Sequence, residues 1–257
     1  MLSIARFWDE ECECWVEVWV VSIDRFATLL YGIGEAAAYL SVPPSTLASW
    51  AYGYKRHVHG GGTARAIPAI TAVRPAHRDE AAVPFIGLAE AYALAAFRKA
   101  GVPMQRIRPA IGTLASELGL EHALASRRLY TDGAEVLNDY AQHAGGTPEG
   151  DSARGLVVVR NGQRVFTEVV DQYLSRVDFA GDGYARLIRL PRYQVAEVTV
   201  EPDHAFGRPR LARGGAEVDD VIDLFLAGEP IDAVAAESGL SRAEVEDVLR
   251  ASARSAA

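Results

Sequence analysis

The stretch YGIGEAAAYLSVPPSTLASWAYGYKRHVHGGGTAR, Tyr31 to Arg65, decides how the rest of the chain is read. Ile33, Ala36, Ala37 and Leu40 recur at helical spacing and predict a helix with one apolar stripe. Ser41-Val42-Pro43-Pro44 ends it, because proline fixes φ and lacks the N–H that a helix interior needs. Proline suits the first turn of a new helix, so a second helix is predicted over about Ser45 to Ala51. Leu47 and Trp50 are expected to face inward with Val42, leaving Ser45, Thr46, Ser49 and Tyr52 outward. Small hydroxyl side chains near the start of a second helix suit the reading of base edges in a major groove. Lys55, Arg56, His57 and His59 follow, then Gly60-Gly61-Gly62 and Arg65. That is the pattern of a wing, a hairpin with basic flanks for phosphate and glycines at its tip. A plain helical hairpin with a basic loop has the same pattern.

Composition bounds the alternatives. The chain has 257 residues, 49% of them hydrophobic, enough for more than one core. Charged residues make up 23%, which argues against wholesale disorder. The net charge of −8 and the isoelectric point near 5.3 exclude indiscriminate coating of nucleic acid but allow one basic face. Two cysteines, Cys12 and Cys14, stand too close for a structural staple, so a reducing cytoplasm is expected. No apolar run approaches a membrane span, and the N-terminus carries acids where a signal peptide carries cations.

In order along the chain, residues 1–24 are read as an N-terminal extension holding a strand-like run, CWVEVWVVSI, at Cys14 to Ile23. Two thiolates with no further ligand pair do not complete a tetrahedral site, so no metal is expected. Residues 25–140 form the first domain. Ile67 to Ala82 reads as a loop. Pro84 to Ala100 reads as an amphipathic helix on Phe85, Leu88, Tyr92, Ala95 and Ala96, closed by Gly101. Val102-Pro103 opens another, with Ile107, Ala110, Ile111 and Leu114 inward. Ser126 to Tyr140 holds an Asp132-Gly133 turn signal before a further short helix, and its Tyr-Thr-Asp-Gly could equally connect two short pieces of sheet. A Gly/Pro/Ser/acid-rich linker is expected over 141–155. The period then falls to two. Leu156 to Val159, Val165 to Val170, Ala185 to Leu190 and Tyr193 to Val200 are predicted strands within 156–200, with turns at Asn161-Gly162 and Asp182-Gly183. Residues 201–257 predict three short helices: Val218 to Ala227, one from Pro230 to Gly239, and one opened by the capping box Ser241-Arg242-Ala243-Glu244. Leu224, Phe225, Ile231, Val234, Ala235, Leu240, Val245, Val248 and Leu249 are its expected core.

Tyr31, Ile33, Gly34, Glu35, Val42, Pro44, Ser45, Thr46, Leu47 and Trp50 make the first stretch similar to the helix-turn-helix of MerR-like regulators. Pro43 departs from that pattern, which has a serine or threonine cap there. Gly101, Val102, Ile107 and Arg108 match the helix pair that follows the wing in such proteins. Gly207, Pro209, Arg213, Gly214, Gly228, Glu229 and the Leu240-Ser241 turn resemble a small domain-of-unknown-function family, DUF (four-three-three). The fold class expected is therefore α+β: a MerR-like winged helix-turn-helix, a small central β-sheet and a three-helix C-terminal unit.

Charge separates the two helix-turn-helix-like units. Tyr31 to Arg65 carries three cations against Glu35, a net +2. From Glu197 onward, six arginines stand against thirteen carboxylates, a net −7. Glu244, Glu246 and Asp247 on the last helix oppose binding to phosphate, so the first unit is expected to meet DNA and the last a protein with a cationic surface. An ordinary solvated acidic face is the alternative. The order of parts resembles antitoxins of VapB type, over roughly Phe26 to Ala253. That resemblance implies an antitoxin that neutralises a PIN-like ribonuclease toxin and represses its own operon. It implies operator DNA contacts at Ser45, Thr46, Ser49, Tyr52, Lys55, Arg56 and Arg65, and toxin contacts at Arg208, Arg210, Arg213, Phe225, Glu244 and Asp247. A homodimer is expected, since such readers bind paired half-sites. A stand-alone regulator sensing a small molecule is the second reading. No Ser-His-Asp spacing, phosphate loop or metal signature points to an enzyme, and no cofactor is expected.

Overall fold

The structure, a computed structural model, describes residues 2–9, 14–21, 23–58, 62–77, 80–131, 146, 173 and 175–254, with the backbone alone over 2–9, 14–21, 55–58, 62–65, 118 and 130–131. The linker at 141–155 apart from Gly146, the expected strands Leu156 to Val159 and Val165 to Val170, and their Asn161-Gly162 turn lie outside the described residues.

The N-terminal extension forms an antiparallel hairpin, β1 (Leu2–Asp9) on β2 (Cys14–Val21). The head begins with β3 (Leu29–Tyr31), then α1 (Ile33–Leu40) and α2 (Pro44–Tyr52). Helix α1 starts where the Glu35 carboxylate accepts the Gly32 N–H at 3.1 Å and the Tyr39 hydroxyl at 2.6 Å. It ends at Ser41, a left-handed residue with φ 56°, from which Val42 N–H bonds back to the Ala37 carbonyl at 3.0 Å. Pro43 occupies the N-cap of α2 with no side-chain bond and Pro44 takes the first helical position. The missing cap is the departure that the sequence shows, and a fixed φ stands in for it. Ala36, Ala37, Leu40, Leu47, Trp50 and Ala51 are all buried, so the two helices close on one apolar seam.

The hairpin β4 (Tyr54–Val58) and β5 (Gly62–Ala66) follows as expected, and Lys55 and Arg65 are register partners in it. A loop leads to β6 (Val83–Pro84), which pairs with β3. Helix α3 (Phe85–Lys99) is the central pillar, buried at every residue from Phe85 to Leu94 and again at Phe97. Its one buried carboxylate, Glu90, accepts the Thr71 N–H at 2.5 Å and meets His122 Nδ1 at 3.0 Å, pinning the loop and the chain after α4 to the pillar. Gly101, with φ 85°, turns the chain into α4 (Met104–Leu118), and α5 (Arg127–Thr131) is the described part of the segment Ser126 to Tyr140.

A four-stranded antiparallel sheet comes next, in the order β10-β9-β8-β7: β7 (Val177–Phe179), β8 (Ala185–Arg189), β9 (Val198–Val200) and β10 (Arg210–Leu211). Gly183, with φ 83°, makes the β7–β8 turn predicted at Asp182-Gly183. The strand expected from Tyr193 is shorter, because residues 194–196 bend to give their N–H groups to one carboxylate on the last helix. The sheet draws β10 from beyond residue 200, so the position 200/201 falls between two of its paired strands. Three helices close the chain: α6 (Val218–Leu226), α7 (Ile231–Ser238) and α8 (Arg242–Ala253). The Ser241/Glu244 capping box opens α8 with both reciprocal bonds present. Val234, Val245 and Val248 lie at the centre of this unit as expected. The fold is α+β, with the helix-turn-helix head at its N-terminal end.

Candidate DNA interface and partner surface

The outward stripe of α2 is narrower than its sequence suggests. Ser45 is exposed, while Thr46 and Ser49 are half-buried. The Ser49 hydroxyl donates to the Thr46 carbonyl at 2.7 Å, leaving its lone pairs available as acceptors. Tyr52 departs from the expectation. Its hydroxyl is buried without a hydrogen-bond partner, and the Arg74 guanidinium covers its ring 4.3 Å from the centroid. In this arrangement the phenol does not reach a base edge. Ala48 lies one turn on from Ser45, so the accessible strip is small and neutral.

Between α2 and the wing stands Gly53, at φ 65°. A Cβ there would sit 2.0 Å from the Ala66 carbonyl oxygen, so the returning strand passes where only glycine fits. Arg108, from α4, spans the same junction. Its guanidinium donates to the Ile67 carbonyl just beyond β5 and to the Ser49 carbonyl of α2 at 3.4 Å, and lies 6.0 Å from the Tyr54 ring. Burial holds the Arg108 pKa below its usual value. The side chains of Lys55, Arg56 and Arg65 lie outside the described residues; their backbone places Lys55 opposite Arg65 and Arg56 opposite Ala64.

A second feature adjoins the start of α2. An open groove of about 850 Å³ has Leu40, Val42, Trp50 and Tyr92 among its apolar lining, with Thr46, Arg98, Lys99 and Arg176 also around it. Arg98 and Lys99 read in the sequence as ordinary cations at a helix C-terminus. Only the fold brings them beside Thr46.

The residues expected at the C-terminal surface divide sharply. Arg208 pairs with Glu217 at 3.0 Å, and Arg210 donates from Nε to the Gly215 carbonyl at 3.1 Å, so both serve their own chain. Arg213 is exposed. Glu244 closes its own capping box, and its bonds from Ser241 hold its carboxyl below the usual range. Asp247 is buried rather than at the surface: it is 3% exposed and accepts the N–H groups of Gln194, Val195 and Ala196 at 2.7, 2.8 and 3.1 Å. Burial alone raises its pKa, but the three amides outweigh that and hold it below normal. Phe225, expected by its spacing in the core, is 37% exposed, and its neighbour Leu226, which the pattern did not single out, is 74% exposed. They end α6 among the exposed acids Asp223 and Glu229.

With this geometry in view, the likenesses to known proteins are informative. Residues 29–111 match the family described as "Putative DNA-binding HTH domain", and residues 198–250 match "Protein of unknown function (DUF433)". The chain is 45% identical over 228 residues to "Putative antitoxin VapB45" of Mycobacterium tuberculosis, covering 88% of this chain and 95% of that one. The chain belongs to the VapB antitoxin family. The crystal structure of Rv2018 from Mycobacterium tuberculosis superposes on this VapB-family chain with a TM-score of 0.73 at 44% identity, covering 88% of this chain and 99% of the other. The helix-turn-helix of the VapB-family chain is thus a DNA-binding head. Among the described residues no helix is long and apolar enough to cross a membrane, and no group of three or more potential metal ligands converges.

Proposed function

We propose that this VapB-family chain is the antitoxin of a type II pair, that it neutralises a PIN-like ribonuclease toxin with its C-terminal unit, and that it represses its own operon as a cytoplasmic homodimer. The observation that carries this reading is one chain with two regions of opposite character. At one end a neutral strip, Ser45, Thr46 and Ser49, stands beside a hairpin carrying Lys55, Arg56 and Arg65. Two cations at one rung of a hairpin repel each other until a phosphate joins them. At the other end, acids surround exposed Phe225 and Leu226. In this reading Phe225 and Arg213 meet the toxin directly. Arg208, Arg210 and Glu244 shape that surface, while Asp247 supports it from inside.

The test is co-expression of a tagged copy with the neighbouring open reading frames, followed by capture and a growth assay. A small PIN-like protein that co-purifies, and is toxic only when this chain is absent, is the expected result. Capture of no partner together with a shift of the chain's own promoter DNA overturns the toxin half. The groove beside Thr46 favours a second reading: a stand-alone regulator whose effector has an apolar body and an anionic end to meet Arg98, Lys99 and Arg176. An organic anion that changes operator affinity would support it.

A further inference from the structure

The junction between the recognition helix and the wing is built unlike the rest of the head. Tyr52, Gly53 and Tyr54 form it, and an arginine from a distant segment covers each tyrosine. Arg74, from the loop after the wing, lies over Tyr52 at 4.3 Å. Arg108, from α4, lies by Tyr54 at 6.0 Å and bonds both the Ser49 and Ile67 carbonyls. The Ala69 N–H to Trp50 carbonyl bond, at 2.7 Å, adds a third tie between the end of α2 and the chain leaving the wing.

Two features cost stability here. The Tyr52 hydroxyl and the Arg108 Nε are both buried with no hydrogen-bond partner, and burying such atoms unpaired is unfavourable. An apolar side chain at either place would avoid that cost. What arginine supplies instead is a planar fork that grips two carbonyls from different elements at once, which a lysine does not.

We propose that Arg108 and Arg74 are positioning residues that lock the wing at a fixed angle to the recognition helix. Through them the cationic rungs of β4 and β5 fall on phosphates while α2 lies on the bases. The inference rests on the DNA reading of the head. In this role Arg108 spends its hydrogen bonds on protein carbonyls and Arg74 lays its face on the Tyr52 ring, so neither serves as a phosphate ligand.

Salt dependence separates positioning from phosphate contact. A duplex covering the region upstream of the chain's own gene is titrated with wild type, R108A, R108K and R74A across a range of salt. Each phosphate ligand removed lowers the slope of log affinity against log salt by about 1. The expected result is a loss of about tenfold or more in affinity for R108A and R74A with the slope unchanged. R108K, which keeps the charge without the fork, is expected to resemble R108A. Amide hydrogen exchange on the same proteins without DNA gives a readout independent of the DNA reading: β4 and β5 are expected to exchange faster, with α3 unchanged. R108K binding as wild type, a slope lowered by about 1 per arginine, or unchanged wing exchange each overturns the proposal. A wild type that fails to bind the duplex overturns the operator reading, and wing exchange alone then decides the clamp.

Discussion

Replacing Asp247 tests whether that residue is structural or a partner contact. Its carboxylate is 3% exposed and gathers three backbone N–H groups from the bend before β9. Hydrogen bonds to a charged group contribute about 1.5–3 kcal/mol each, net of water. Three do not simply add, because Gln194 and Val195 are exposed and their amides rehydrate once the carboxylate is gone, whereas Ala196 is buried and its amide does not. Asp247→Ala is therefore expected to cost about 3–5 kcal/mol, the range for breaking a buried charged network. Asp247→Asn keeps one acceptor oxygen but turns an NH2 toward N–H donors, and about 2 kcal/mol is expected. Against a total stability of about 5–15 kcal/mol these are large fractions. The bend at 194–196 should loosen first, together with the bond from Arg192 to the Ala251 carbonyl. The assay is urea unfolding, read as a shift in midpoint at constant slope. The native pKa is depressed, so the stabilisation is present above the unfolded value of about 3.9 and disappears as pH falls through the native value. The gap between wild type and Asp247→Asn should thus hold from neutral pH down and close in acid. A stable Asp247→Ala that no longer captures toxin would refute this reasoning and return the residue to the partner surface.

Other outcomes follow from the same geometry. Phe225→Asp with Leu226→Asp should weaken toxin capture at least tenfold, a change of about 1.4 kcal/mol in binding, while the urea midpoint stays near wild type because both side chains are exposed. Ser45→Asp should weaken operator binding by more than about tenfold, since a carboxylate faces phosphate, yet raise head stability by a few tenths of a kcal/mol through the α2 dipole; a gel shift and a thermal melt check both. His122, whose pKa the Glu90 hydrogen bond raises, stabilises the fold fully below about pH 6.5 and loses that contribution as pH rises through its native value. The urea midpoint of wild type should therefore fall between pH 6 and pH 9 more than that of His122→Gln; equal falls would remove the pair from the stability of the head.

The local signals in the chain translated well into elements. Pro43-Pro44 set the start of α2, Gly101 and Gly239 set turns at positive φ, and Ser241/Glu244 set the start of α8. Each works through its own neighbours, so a linear reading suffices. The misplaced residues all depend on partners distant in sequence. Tyr52 lies on the outward stripe of α2, but Arg74 closes over it from 22 positions away. Asp247 is one of three acids in a run of four residues, and only a bend more than fifty positions earlier distinguishes it from Glu246. Glu246, by contrast, pairs at the surface with Arg242 and Arg250. Arg108 was legible as part of a recurring helix, but its grip on two carbonyls was not.

The contact between the two ends explains why they share one chain. Ala205 and Phe206 take left-handed φ values of 48° and 53°, and Gly207 follows at 76°. Left-handed conformations in residues with a Cβ cost of order 1 kcal/mol or more each. This turn delivers Gly207 against Tyr31: a Cβ on Gly207 would lie 2.4 Å from the Tyr31 hydroxyl oxygen, which is buried with no hydrogen-bond partner. Beside it the Asp203 carboxylate accepts the Ile23 N–H at 3.0 Å, and Arg25 reaches Asp182 at the β7–β8 turn. A strained turn and an orphan hydroxyl are stable here only because the surrounding packing fixes them. If the head and the acidic unit were beads on a string, none of this would be needed, and a relaxed linker would cost less. The head begins directly at β3, so the turn also anchors the strand from which α1 and α2 depart. Under the proposed reading, a partner held at the end of α6 would sit on the same unit whose turn packs against Tyr31 of the head.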